Sequence, residues 1–318
     1  PIVAYSDEGG FEKINKETPV ALLYWLSGTI LFNEYIREDE SVPTEVIQSN
    51  IVNWQDNSPH VKIEIIPDRI RHDYLCKDNN WKKVDSSQTK IGEFTTTKWG
   101  QGEPYSNFTP YKCPAGCVAV AVGQIMKFHK YPNNSNDPKF NWNIMPDIAQ
   151  NIHQQGATNI ALLLKDIGDN VNMIYTSAGS YASSSDARDA LVNDYGYSSS
   201  ANLADYNLHR VVNDIVNKQS PVYMDGYAKE IKYYKIWWFF WLKEYITYEE
   251  GHAWVCDGYR NITKKYYSEK CKEYAFAISE FLHMNWGNYG RSNGWYSSKS
   301  RYNLLYPYKM QCIYDIRP

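Results

Sequence analysis

Two segments of this sequence carry side chains able to do nucleophilic chemistry. In Cys113-Pro114-Ala115-Gly116-Cys117-Val118-Ala119 the second cysteine falls in the first turn of a predicted helix over Val118 to Lys130. Val118, Ala121, Val122, Ile125 and Met126 share one face of that helix, and Pro132 ends it. The first turn of a helix offers unpaired N–H groups and a partial positive charge, which stabilise a thiolate and could also hold an oxyanion. The plainer account of any single cysteine is a buried structural thiol. The second segment shifts the balance. Gly251-His252-Ala253-Trp254-Val255-Cys256-Asp257-Gly258 sets His252 at the head of an apolar strand, and Gly251 leaves room for a substrate backbone. Further on, Leu282-His283-Met284-Asn285-Trp286-Gly287 runs from a strand into a loop that bears an amide and an indole. A thiol beside an imidazole base is the equipment of acyl transfer.

Cys, His and Asn follow one another in the order of a papain-like site, in which Asn orients the histidine and Trp shields that bond. A family resemblance rests on longer stretches. Gly116 to Lys127 (GCVAVAVGQIMK), with Tyr131-Pro132 behind it, resembles the nucleophile helix of the streptopain family of cysteine peptidases. GHAWVCDGY at 251–259 is similar to that family's histidine strand, and HMNWG at 283–287 to its Asn-Trp loop. Trp99-Gly100-Gln101-Gly102-Glu103-Pro104-Tyr105 is similar to its glutamine loop, and Pro1 to Phe11 resembles the closing part of its propeptide. The resemblance implies an α+β fold of the papain type, with a helical part carrying the nucleophile and an antiparallel sheet carrying His and Asn. It implies a secreted or cell-envelope endopeptidase made as a zymogen, acting on protein or peptide substrates without cofactor or metal. Residues 1–90 would be a partial propeptide, acting as an intramolecular inhibitor, and 91–318 the peptidase domain. Cys117 would be the nucleophile and His252 the base. Gln101 would lend its amide to the oxyanion hole, Asn285 or nearby backbone would orient His252, and Trp286 would cover it.

The match departs from the family in three places. The stretch from Gln101 to Cys117 is short. The family's second Trp in Trp-Gly-Trp-Gly is replaced by Asn288, a position that lines the cleft and bears on substrate preference. Tyr227 to Glu250 is long and aromatic, and reads either as a flap beside the cleft or as a strand pair on the core. By the same resemblance, the start at Pro1 would fall within the propeptide domain, since the family's propeptide extends further upstream.

Positioning these groups requires a helical part followed by strands. Besides the nucleophile helix, helices are predicted at 157–168, 185–195 and 205–218, and strands at Val222 to Met224, Ala253 to Cys256 and Phe281 to Trp286. Upstream, Glu17 to Arg37 reads as an amphipathic helix capped by Thr18-Pro19, a second helix runs from Pro43 to Trp54, and Val61 to Ile65 alternates like a strand. The polar stretch Lys77 to Thr89 reads as a linker, with propeptide cleavage expected between Asp85 and Phe94.

A formal net charge of -3 gives no electrostatic footprint for nucleic acid, which would need a clustered basic excess. No apolar run reaches the roughly 18 residues of a membrane span. Six cysteines without paired CxxC motifs argue against structural zinc. His283 reads as packed or hydrogen-bonded, and Asp257 as part of an Asp-Gly turn. Two other readings stay open: a relative of the same fold that has lost chemistry and acts by binding, and a cell-wall amidase.

Overall fold

The computed structural model describes residues 4–5, 80–133, 140–149, 155–237, 241–298 and 306–318. The predicted helices over Glu17 to Arg37 and Pro43 to Trp54, and the strand at Val61 to Ile65, lie outside the described residues. Ten strands and four α-helices are described: β1 (Ala4–Tyr5), β2 (Lys82–Gly92), α1 (Cys117–His129), α2 (Gln155–Asn170), β3 (Ile174–Thr176), β4 (Gly179–Tyr181), α3 (Ser184–Asn193), β5 (Asn202–Asp205), α4 (Leu208–Val216), β6 (Val222–Trp237), β7 (Trp241–Ser268), β8 (Glu273–Asn285), β9 (Gly294–Ser297) and β10 (Tyr308–Tyr314). After β1 and β2 come the four helices with the short strands β3 to β5 among them, and the long strands follow, an α+β arrangement.

The main sheet runs β1-β9-β8-β7-β6-β10-β5, and every described pairing in it is antiparallel. The long strand β7 is its spine. The first half of β7 pairs with β6, from Trp237↔Trp241 to Val222↔Cys256, so the two described arms of Tyr227 to Glu250 are an antiparallel strand pair. Its second half pairs with β2, from Gly92↔Gly258 to Lys82↔Tyr267. Lys82 to Thr89, expected to be a linker, is therefore a strand. Its composition misled because Lys82 to Lys90 is exposed throughout, so no apolar alternation was needed. A register shift between Cys256 and Gly258 likewise replaces the expected Asp257-Gly258 turn by a bulge in a continuing strand.

Alternation along the central strands divides the core into two layers. Tyr223, Ala253 and Val255 join the side chains of α1, α2 and α3 on one face. Met224, Trp254, Cys256, Met284, Trp286 and Tyr306 meet Val211 and Ile215 of α4 on the other. α1 is buried along Val118 to Met126, apolar there except for Gln124, because it lies between its helical neighbours and the sheet. Its end is set by Lys130 in the left-handed conformation (φ 49°), two residues before Pro132. Among the described residues no helix is long and apolar enough to cross a membrane.

Candidate active site

Cys117 is the first residue of α1. Gly116 precedes it with φ 91° and ψ 135°, a conformation open to glycine and costly for other residues, and its carbonyl accepts the first helical bond from Val120 at 3.1 Å. The chain thus turns sharply into the helix and sets Cys117, a part-buried residue, at its head. Burial pushes the thiol pKa up, while the amides of Ala253, Val118 and Cys117 itself pull it down, and the charge of Asp225 raises it again. The Ala253 amide therefore lies against the thiol, and Ala253 is the residue after His252.

His252 belongs to the opposite face of β7, with Trp254. Its ring stacks on Tyr306 at 5.0 Å and lies near-parallel to Trp254 at 6.3 Å and Trp286 at 6.1 Å. Its Nε2 sits 2.9 Å from the Trp286 carbonyl. A carbonyl only accepts, so Nε2 carries the proton and the neutral ring keeps its lone pair on Nδ1. Burial lowers the imidazole pKa to about 4, with the Trp286 carbonyl opposing that shift. Desolvation of both groups therefore favours a neutral thiol and a neutral imidazole in the free site.

The residue that holds His252 is thus Trp286, through its backbone, rather than the Asn285 side chain, for a geometric reason. Asn285 is fully buried; its Nδ2 donates to the Thr97 carbonyl at 2.7 Å and the Thr95 hydroxyl at 3.1 Å, and its Oδ1 accepts from the Gly287 amide at 3.2 Å. Asn285 ties the loop to the segment that leads into Trp99. The Trp286 indole is 2 % exposed and donates to the Tyr296 hydroxyl at 3.0 Å, so it packs behind the histidine. Gly287 (φ 65°) lets this loop rest on α1, since a Cβ there would meet Val120 Cγ1 at 2.8 Å. Loop and nucleophile helix are in direct contact one turn beyond Cys117.

Gln101 lies in a loop whose connection to Cys117 is short because it doubles back: the Gln101 carbonyl accepts from the Ala115 amide at 2.8 Å. Asn288 is part-buried, with its carbonyl accepting from the Arg291 amide at 2.8 Å. Gly251 is exposed, and the room left by its missing side chain is taken by the Tyr227 ring, 3.0 Å from where a Cβ would be. That space was expected to serve a substrate backbone.

His283 and Asp257 form a buried pair of their own, His283 Nδ1 donating to Asp257 Oδ1 at 2.6 Å. The other carboxylate oxygen accepts from the Thr95 amide at 2.9 Å and from its hydroxyl. Through Thr95 the pair reaches Asn285, so it braces the same loop.

Two residues near the thiol escaped the sequence reading. Tyr306 stacks on His252, and its hydroxyl pKa is raised by burial and by the Cys117 charge. Asp225, whose carboxylate accepts from the Ser184 hydroxyl at 2.7 Å, has its pKa raised by burial to about 6. An acidic residue directly after the apolar run Val222-Tyr223-Met224 was the available signal for Asp225; nothing marked Tyr306 among its neighbouring tyrosines.

A thiol at a helix head, with an imidazole held by a backbone carbonyl and an amide against the sulfur, is the equipment of the cysteine peptidase class. The profile of the Peptidase C10 family matches residues 99–296, and the chain belongs to that family. It is 27 % identical over 244 residues to streptopain of Streptococcus pyogenes, covering 62 % of this chain and 52 % of that protein. It is 25 % identical over 232 residues to the thiol protease/hemagglutinin PrtT of Porphyromonas gingivalis, covering 62 % of this chain and 22 % of that protein. The chain thus matches about half the length of streptopain and about a fifth of the second protein.

Proposed function

We propose that this chain is a cysteine endopeptidase in which Cys117 is the nucleophile and His252 the general base and acid. The observation that carries the reading is Cys117 at the head of α1, packed against the core cluster of Ala253, with the neighbouring His252 Nε2 fixed on the Trp286 carbonyl. That tautomer leaves Nδ1 as the acceptor for the thiol proton. The thiol gives its proton to Nδ1 as its sulfur attacks the peptide carbonyl. The Cys117 amide and the Gln101 side chain receive the oxyanion. The imidazolium then protonates the leaving amine, and the acyl-enzyme is released by water with His252 again as base. Trp286 keeps water from the Nε2 bond, and Asn288 and Gly251 border the region where substrate lies.

The relatives named streptopain and thiol protease support proteins as substrates for this chain. We further assign residues 1–90 to a propeptide, as in a secreted or cell-envelope zymogen, and 91–318 to the peptidase. The exposure of Lys82 to Lys90 on an edge strand is compatible with processing there once the strand unpairs.

Hydrolysis of casein by the wild type, His252→Ala and Cys117→Ala, together with iodoacetamide labelling of Cys117, tests this reading. Both variants are expected to lose hydrolysis, and His252→Ala to slow labelling at neutral pH by roughly 100-fold. Wild-type labelling that is slow and indifferent to His252, before and after limited proteolysis, would overturn it.

A further inference from the structure

The loop that holds His252 also grips the loop of Gln101, through a residue that the proposed mechanism does not use. Tyr289 follows Asn288 and has φ 57°, the left-handed conformation that disfavours a side chain. It is 40 % exposed, so burial of its ring is an incomplete account of why it stands there. Its amide and its hydroxyl both bond to one segment, while Arg291 lies over the ring at 6.0 Å. Its amide donates to the Trp99 carbonyl at 2.9 Å, and its hydroxyl accepts from the Gly102 amide at 2.8 Å. Between them the ring lies flat against Gly100: a Cβ there would stand 2.5 Å from Cζ and 2.6 Å from Cε1 and Cε2. A Cβ on Gly102 would meet the hydroxyl at 2.6 Å. Both glycines flanking Gln101 are therefore small because Tyr289 occupies the space their side chains would need. The edge of Tyr105, at 5.7 Å and 61°, supports the ring from behind.

From these contacts we infer that Tyr289 is a positioning residue for the oxyanion hole, clamping Gln101 by fixing the backbone on both sides of it. The inference rests on the reading of Gln101 as the oxyanion donor. Its consequence is a coupling within one short loop. The Trp286 carbonyl sets the tautomer of the base, Gly287 seats the loop on the nucleophile helix, and Tyr289 sets the oxyanion donor three residues after Trp286. A backbone loop of two glycines is pliant on its own. The phenol supplies the rigidity, which matters because an oxyanion donor must already stand in place when charge develops.

The two halves of the chemistry can be read apart. Hydrolysis of a peptide amide needs the oxyanion hole, whereas alkylation of Cys117 by iodoacetamide generates no oxyanion. Tyr289→Phe removes the acceptor for the Gly102 amide while keeping the ring, and is expected to lower kcat roughly 5-fold with KM unchanged. Tyr289→Ala releases both glycines and is expected to approach the loss in Gln101→Ala, roughly 100-fold. The double variant Tyr289→Ala/Gln101→Ala should lose no more than Gln101→Ala alone, since the two residues act as a unit. Alkylation should stay within about 2-fold of wild type in all of them. Equal kcat in the wild type and both Tyr289 variants would overturn the inference. So would losses that multiply with Gln101→Ala, or alkylation that falls in step with kcat, which would mark a structural role. A Tyr289→Ala protein that does not fold leaves Tyr289→Phe, at unchanged melting temperature, to decide. Should Gln101→Ala itself keep full kcat in an enzyme whose labelling depends on His252, the assignment of Gln101 falls while the Cys–His reading stands.

Discussion

Gly116 is where a single methyl group should do most harm to the nucleophile, and two effects contribute. Alanine at φ 91° and ψ 135° must either hold a conformation that L-residues avoid or rotate the peptide that feeds α1. Holding it costs about 1–3 kcal/mol. The new Cβ would also lie 2.6 Å from Met173 Cε and 2.7 Å from its Sδ. That contact is with the end of a flexible side chain, although Met173 is 8 % exposed, so shifting it adds about 1 kcal/mol. Backbone strain therefore outweighs the clash, and the sum is about 3 kcal/mol. For a domain of this size that corresponds to a fall in melting temperature of roughly 6–12 °C. The rotation would also move the amides of Cys117 and Val118 relative to the sulfur, so Cys117 alkylation should slow roughly 10-fold or more. Differential scanning calorimetry and iodoacetamide kinetics on Gly116→Ala, Met173→Ala and the double variant check this. The expected coupling between the two sites is about 1 kcal/mol, the clash alone. A Gly116→Ala protein melting within about 2 °C of wild type, or one restored fully by Met173→Ala, would refute the primacy of backbone strain.

Two further expectations concern pH. Burial lowers His129 and His252 to about 4, so the folded state resists protons that the unfolded chain binds below the usual histidine value of 6.5. Their stability contribution is whole above that value and lost as pH falls towards 4, on the order of 3 kcal/mol each, while Asp225, raised to about 6, regains about 3 kcal/mol over the same window. Urea unfolding at pH 7 and pH 4.5 should show a net loss approaching about 3 kcal/mol; a flat or rising profile would contradict the burial of these rings. Asp225→Asn removes a charge that raises the Cys117 thiol, so the variant should label faster than wild type above pH 6, with the difference vanishing as pH falls through the Asp225 value of about 6. Identical pH–labelling curves would place Asp225 outside electrostatic reach of the sulfur.

Much of the chemistry was legible in the chain itself. The helix at 117–129 was written in the apolar face from Val118 to Met126 and closed by Pro132, and the other described helices lie within a few residues of their predicted spans, Gln155–Asn170 for 157–168, Ser184–Asn193 for 185–195 and Leu208–Val216 for 205–218. Cys117 at a helix head and His252 at a strand needed only local spacing, because capping and alternation are properties of neighbouring residues. β2 was illegible for the converse reason: a strand exposed along Lys82 to Lys90 has no burial to impress on its composition. Tertiary structure alone decided who holds the histidine. Asn285 and Trp286 are adjacent in sequence, and which of them meets His252 depends on Thr95 and Thr97, which claim the Asn285 amide and leave the Trp286 carbonyl to the ring. Likewise the need for glycine at 100 and 102 comes from Tyr289, far along the chain. A side chain's type limits the bonds it can make, and the sequence states that type. Which bond it makes is settled by competition among partners, and the fold determines which partners are near enough to compete.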